Sequence, residues 1–189
     1  MTVAIYSEKG GVGKTSLSFS LAKDLKMKYI TNDQSLSMMK MGSARLCNKN
    51  IPFQENTLYD FGGFKSEEAL EIISKVDLVL IPTICDINSI AKALGTIKKI
   101  LKIKKETKII VIGTMIEKYK EFSQIHQVIS KHYPDIELIP FRKTKLLKNA
   151  IEEGIGANSL FIKDNKNRSL YKNSFADYEK IKNKCEEIS

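Results

Sequence analysis

Ser7-Glu8-Lys9-Gly10-Gly11-Val12-Gly13-Lys14-Thr15-Ser16 follows the apolar run Thr2-Val3-Ala4-Ile5-Tyr6 and opens a segment of helical spacing. A strand, a glycine-rich turn and a helix in that order is the setting a phosphate-binding loop requires. The glycines let the backbone curl so that successive N–H groups point inward, and the helix N-terminus adds partial positive charge. In such a loop Lys14 reaches the outer phosphates of a nucleotide and the Thr15 hydroxyl ligates Mg²⁺. Gly10, Gly11, Val12, Gly13 and Ser16 form the rest of the cradle. The strict pattern G-x-x-x-x-G-K-S/T fails by one residue, because Glu8 stands where its first glycine belongs. The pattern that fits is K-G-G-x-G-K-S/T.

Outward from this loop, short apolar runs alternate with longer helical segments. Residues 3–6, 29–31, 58–59, 78–81, 109–112 and 136–139 read as buried strands. Residues 16–26, 66–75, 89–104, 121–131 and 144–153 carry helical spacing. Strands and helices in alternation make βα units, and these build a mostly parallel sheet with helices on both faces. Right-handed crossovers then predict a doubly wound α/β fold. With no repeat and no linker-like composition, residues 1–189 read as one domain. Residues 154–168 read as a loop before a last helix around 174–187.

Composition bounds the function. The 189 residues are 42% hydrophobic and 28% charged, ordinary for a globular protein with a sizeable core. No apolar run approaches the roughly 18 residues of a membrane span, and the first residues already read as a strand rather than a signal peptide. Cys47, Cys85 and Cys185 are scattered, which points to a reducing, cytoplasmic setting. His126 and His132 have no ligand constellation around them and read as surface residues of a helix. The net charge of +9 suits a polyanion such as nucleic acid, or a surface solvated by lysine; composition does not separate the two.

Lys9-Gly10-Gly11-Val12-Gly13-Lys14-Thr15 resembles the deviant Walker A motif of the ParA/MinD ATPases. The resemblance implies ATP and Mg²⁺ as ligands, and an ATP-dependent homodimer in which Lys9 crosses the interface to the partner's phosphates. A cation supplied in trans stabilises charge on the transferred phosphoryl group, as an arginine finger does. Leu58-Tyr59-Asp60-Phe61-Gly62-Gly63 resembles the family's Walker B segment, which implies that Asp60 holds Mg²⁺ through water. Val76-Asp77-Leu78-Val79-Leu80-Ile81-Pro82-Thr83 looks like the next strand, and Ile139-Pro140-Phe141-Arg142 with Asn149–Gly154 like the closing segment. The family's D-x-D-P-Q after the second strand is here Thr31-Asn32-Asp33-Gln34. The resemblance gives Asp33 the role of positioning the attacking water; from the residues alone it also reads as an Asx turn or a helix cap. For the base, Thr114 stands where the family often has Asn, and Pro140 with Phe141 could line the ring. No N-K-x-D motif is present, which favours ATP over GTP.

Branches of the family differ in what the ATP-bound dimer grips. The partition branch binds nonspecific DNA, associates with the nucleoid in its ATP state and is released by a small centromere-binding partner protein. Arg142, Lys143, Lys145 and Lys148 resemble its DNA-contacting neighbourhood; Lys98, Lys99, Lys102, Lys104 and Lys105 form a second basic cluster. Phosphate contacts of this kind carry no base readout. The septum-positioning branch uses an amphipathic C-terminal helix on membrane. The stripe Phe175, Tyr178, Ile181, Cys185 and Ile188 is better suited to packing on the domain, since Glu186 and Glu187 would meet an anionic surface. Lacking paired cysteines, the chain does not resemble the iron–sulfur branch. A compact partition ATPase is the expectation, with a MinD-like nucleotide-switched scaffold as the alternative.

Overall fold

A strand buried on both faces must be apolar on both, and β1 (Thr2–Ser7) is: all six residues are buried. Val3 and Ile5 enter one core while Ala4 and Tyr6 enter the other, as the two-residue period of a strand dictates. The computed structural model describes residues 1–31, 44–46, 52–62 and 67–188. Around β1 lie β2 (Lys28–Thr31), β3 (Ala44–Leu46), β4 (Thr57–Gly62), β5 (Leu78–Thr83), β6 (Lys108–Ile116) and β7 (Glu137–Arg142). These form one sheet in the order β3-β2-β4-β1-β5-β6-β7. Every pairing is parallel.

The described helices are α1 (Lys14–Asp24), α2 (Glu67–Ile73), α3 (Ile87–Ile103) and α4 (Tyr119–His132), each between two strands, and α5 (Leu146–Glu153), α6 (Ala157–Ile162) and α7 (Asn165–Glu186) after β7. Helices α1, α5, α6 and α7 supply Leu17, Leu146, Leu160 and Tyr178 to the core containing Val3 and Ile5. Helices α2, α3 and α4 supply Ile73, Ile97 and Ile125 to the core containing Ala4 and Tyr6. The expected doubly wound α/β architecture is the one found. Strands β4, β2 and β3 lie to one side of β1 and β5, β6 and β7 to the other. The chain thus reverses direction at β1, and crevices for ligands form at the carboxyl ends of strands at such a point.

Three boundaries differ from expectation. β3, at three residues, is too short for its pattern to mark it as a strand. The predicted loop 154–168 contains α6 and the first turn of α7. Its polar composition reflects an exposed face and a cap: the Asp164 carboxylate accepts the Asn167 N–H at 2.7 Å, which satisfies an otherwise unpaired donor of the first turn. α7 therefore starts nine residues before the expected Ser174, at Asn165.

The tail packs on the domain as its spacing suggested. Phe175, Tyr178, Ile181 and Cys185 are all buried, with Ile188 against them, and the Phe175 ring stacks on Phe161 at 4.0 Å between centroids. Burial pushes the Cys185 thiol up to about 12, so it stays protonated and unreactive at neutral pH. Among the described residues no helix is long and apolar enough to cross a membrane.

Asp24, at the end of α1, locks this layer together. Its carboxylate accepts the Tyr178 hydroxyl at 2.7 Å and the Asn158 N–H at 2.9 Å. Gly156 lies so close that an added Cβ would sit 1.9 Å from Asp24 Oδ1. Its φ of −74° suits any residue, so the glycine is required by space and not by backbone conformation. Gly156→Ala is expected to displace Asp24 and cost about 1–3 kcal/mol, the range for overpacking plus a disturbed buried hydrogen bond. Thermal unfolding would read this as a drop of several degrees in Tm. In an Asp24→Ala background the same substitution should cost far less; an equal cost in both would show that the two residues do not meet.

Candidate functional site

The glycine-rich loop, the candidate phosphate site, occupies the switch point. It leaves β1 at Ser7 and enters α1 at Lys14. Gly11 and Gly13 have φ of +76° and +80°, a left-handed conformation that costs glycine nothing and strains other residues. Gly13 is the N-cap of α1, and its carbonyl accepts the Leu17 N–H at 3.1 Å. Cβ atoms added at Gly10, Gly11 or Gly13 would meet nothing within 4 Å, so room remains for a phosphate chain against the backbone. The residues present fit that ligand: a curled glycine loop, a helix N-terminus and two lysines.

Lys14 is 9% exposed, and its ammonium donates to the Lys9 carbonyl at 3.0 Å. Val12 is fully buried and anchors the loop from below. Thr15 and Ser16 are half-buried in the first turn of α1. The Lys9 N–H donates to Ser7 Oγ at 3.3 Å, and the Lys9 side chain has no ion pair within 4 Å among the described residues.

Asp60 lies on β4, opposite Ile5 of β1 and Thr31 of β2. It is fully buried, and the Tyr29 hydroxyl donates to its Oδ2 at 2.6 Å. Tyr29 is a residue that sequence reasoning missed, since nothing local to β2 foretells a bond across 31 positions. Asp33 lies outside the described residues.

The residues expected near the base, Thr114, Pro140 and Phe141, lie on β6 and β7. Thr114 is 4% exposed, and its hydroxyl lies 3.0 Å from the Val12 carbonyl and 3.1 Å from the Thr83 carbonyl. Directed at protein carbonyls, it is a tether from β6 to the glycine loop and to β5. Phe141 faces inward from β7 and is 5% exposed in the core with Leu146 and Phe175. Pro140, opposite Gly113 of β6, remains half-buried. After Thr114 the backbone of Met115 has a φ of +57°, within the irregularity in the β6–β7 register.

The closing basic cluster is largely engaged with carboxylates. Arg142 Nε donates to Asp177 Oδ2 at 2.6 Å and Nη2 to Asp177 Oδ1 at 3.3 Å. Lys143 pairs with Glu117, and Lys148 lies 3.8 Å from Glu152. Lys145 is exposed at the N-cap of α5. By contrast Lys98, Lys102, Lys104 and Lys105 are exposed and have no ion pair within 4 Å among the described residues. His126 and His132 are exposed on α4, as expected.

No protein-family model and no curated protein matches this sequence. Solved structures do match its fold. The ATP complex of a point variant of McdA from Cyanothece superposes with a TM-score of 0.72 at 16% identity, covering 96% of this chain and 95% of that one. The MinD cell division protein of Aquifex aeolicus gives 0.63 at 18% identity, over 94% and 93%. A candidate plasmid partition protein from Borrelia burgdorferi bound to AMPPNP gives 0.59 at 15% identity, over 95% and 98%. An all-parallel sheet switching direction at the glycine-rich loop Lys9–Thr15, and these superpositions over nearly the full chain, lead to one conclusion: the chain has the fold of the ParA/MinD ATPases.

Proposed function

We propose that this chain is a single-domain ATPase of the ParA/MinD type that dimerises on ATP and acts in DNA partition. The observation that carries the nucleotide reading is the buried Lys14 at the mouth of a left-handed glycine turn, at the topological switch point. In this reading Gly10 to Ser16 wrap the phosphates and Lys14 neutralises them. Thr15 and Asp60 hold Mg²⁺, which screens charge on the phosphates when bound. Lys9 acts on the partner subunit's phosphates and Asp33 orients the attacking water.

The DNA reading is supported by the net charge of +9 and by basic residues in two clusters. Membrane attachment through the tail is disfavoured because its apolar stripe lies in the core. A small centromere-binding protein that stimulates hydrolysis, nucleoid association in the ATP state and a cytoplasmic location complete the reading.

Retention on plain duplex DNA, measured with and without ATP across a salt series, tests it. Binding in ATP alone, falling steeply with salt, is the expected outcome. Replacing Lys143, Lys145 and Lys148 by Gln should lower the slope of log affinity against log salt by about one unit per lost phosphate contact. Arg142 must stay in place, because Asp177 is 6% exposed and would be left buried without its partner. A parallel variant of Lys98, Lys102, Lys104 and Lys105 tells which cluster is used. No ATP-dependent retention at any salt would return the chain to the nucleotide-switched scaffold.

A further inference from the structure

Glu8 occupies the position where the strict phosphate-loop pattern has glycine, and it places a carboxylate beside Lys9. An acid there is a liability: it can neutralise the lysine next to it, and it repels a phosphate chain in the loop. The structure shows where that acid goes. Lys99 of α3 pairs with Glu8 Oε1, and the Glu8 side chain is only 17% exposed. Seven residues earlier on the same helix, Lys92 donates to the Glu8 carbonyl at 3.4 Å. Positions i and i+7 of a helix lie two turns apart on the same side, so one face of α3 grips both the backbone and the side chain of Glu8.

We propose that Lys99 is a positioning residue of the phosphate loop, holding the Glu8 carboxylate against α3 so that Lys9 and the anion seat stay free of it. This rests on the nucleotide reading above and adds a residue, 91 positions from Glu8, that the motif does not contain. Lys9 itself has no ion pair within 4 Å among the described residues, although an acid directly precedes it in the chain. The Glu8–Lys99 pair is exposed at the lysine end, 45%, so its removal should alter fold stability little. Its effect falls on the charge balance at the loop, where the cations act on developing charge.

The test compares wild type, Lys99→Met, Glu8→Gln and the double variant for ATP affinity, turnover and Tm. Wild type is measured first: if it binds no ATP, the nucleotide reading fails and this inference with it. Given a functional wild type, Lys99→Met should lower kcat by about tenfold or more, with Tm within about 2 °C. Adding Glu8→Gln should then restore turnover to within about threefold of the Glu8→Gln variant alone, because the liberated charge is gone. Rescue of that kind separates positioning from a packing role, which removing a second partner would not mend. Wild-type turnover in Lys99→Met, or a double variant as slow as Lys99→Met, overturns the proposal while leaving the nucleotide reading intact.

Discussion

Lys14→Ala is expected to abolish ATP binding or hydrolysis, with turnover reduced by at least about a hundredfold. Lys14 is the first residue of α1 and is 9% exposed, with its ammonium drawn back onto the Lys9 carbonyl. A cation so placed meets phosphates entering over Gly10, Gly11 and Gly13, whose outer side is open. Alanine keeps the helix, since it is the best helix former, and leaves the apolar contacts of Leu17 and Leu21 in place. The loss should therefore appear in calorimetric ATP titration and in phosphate release, with little change in circular dichroism. Unchanged affinity and turnover would remove the basis for the phosphate-loop reading.

Lys9→Ala should separate binding from hydrolysis. Its backbone is tied by the Ser7 hydroxyl and the Lys14 ammonium, but its side chain has no ion pair within 4 Å among the described residues. Such a lysine contributes little to its own fold and is free to act across an interface. Nucleotide affinity should persist within about tenfold, while hydrolysis falls by about a hundredfold or more, the scale of a lost cation in trans. Sizing with a non-hydrolysable analogue should show wild type as a dimer and the variant shifted to monomer. A wild type that stays monomeric with every nucleotide, or a variant that hydrolyses normally, would contradict a role in trans.

Local sequence determined the parts of this protein that depend on near neighbours. The short apolar run of residues 3–6 made a buried strand, and the glycines at 11 and 13 allowed the left-handed turn that follows it. Because the βα alternation continues to residue 153, the parallel sheet with helices on both faces was also legible. The spacing of Phe175, Tyr178, Ile181 and Cys185 marked a face that packs inward.

Tertiary structure decided what depends on register and on which strand lies beside which. Thr114 became a tether because the end of β6 lies by the Val12 carbonyl, 102 positions away in sequence. Phe141 went to the core because its place in β7 points it to the face covered by α5 and α7. Arg142 met Asp177 across 35 positions, and Asp60 met Tyr29 across 31. The fate of Glu8 depended on α3, which follows the loop only after four further strands, β2 to β5. Periodicity reports which side of its own element a residue occupies; the partner on that side is set by how the elements pack, and no short window of sequence contains it.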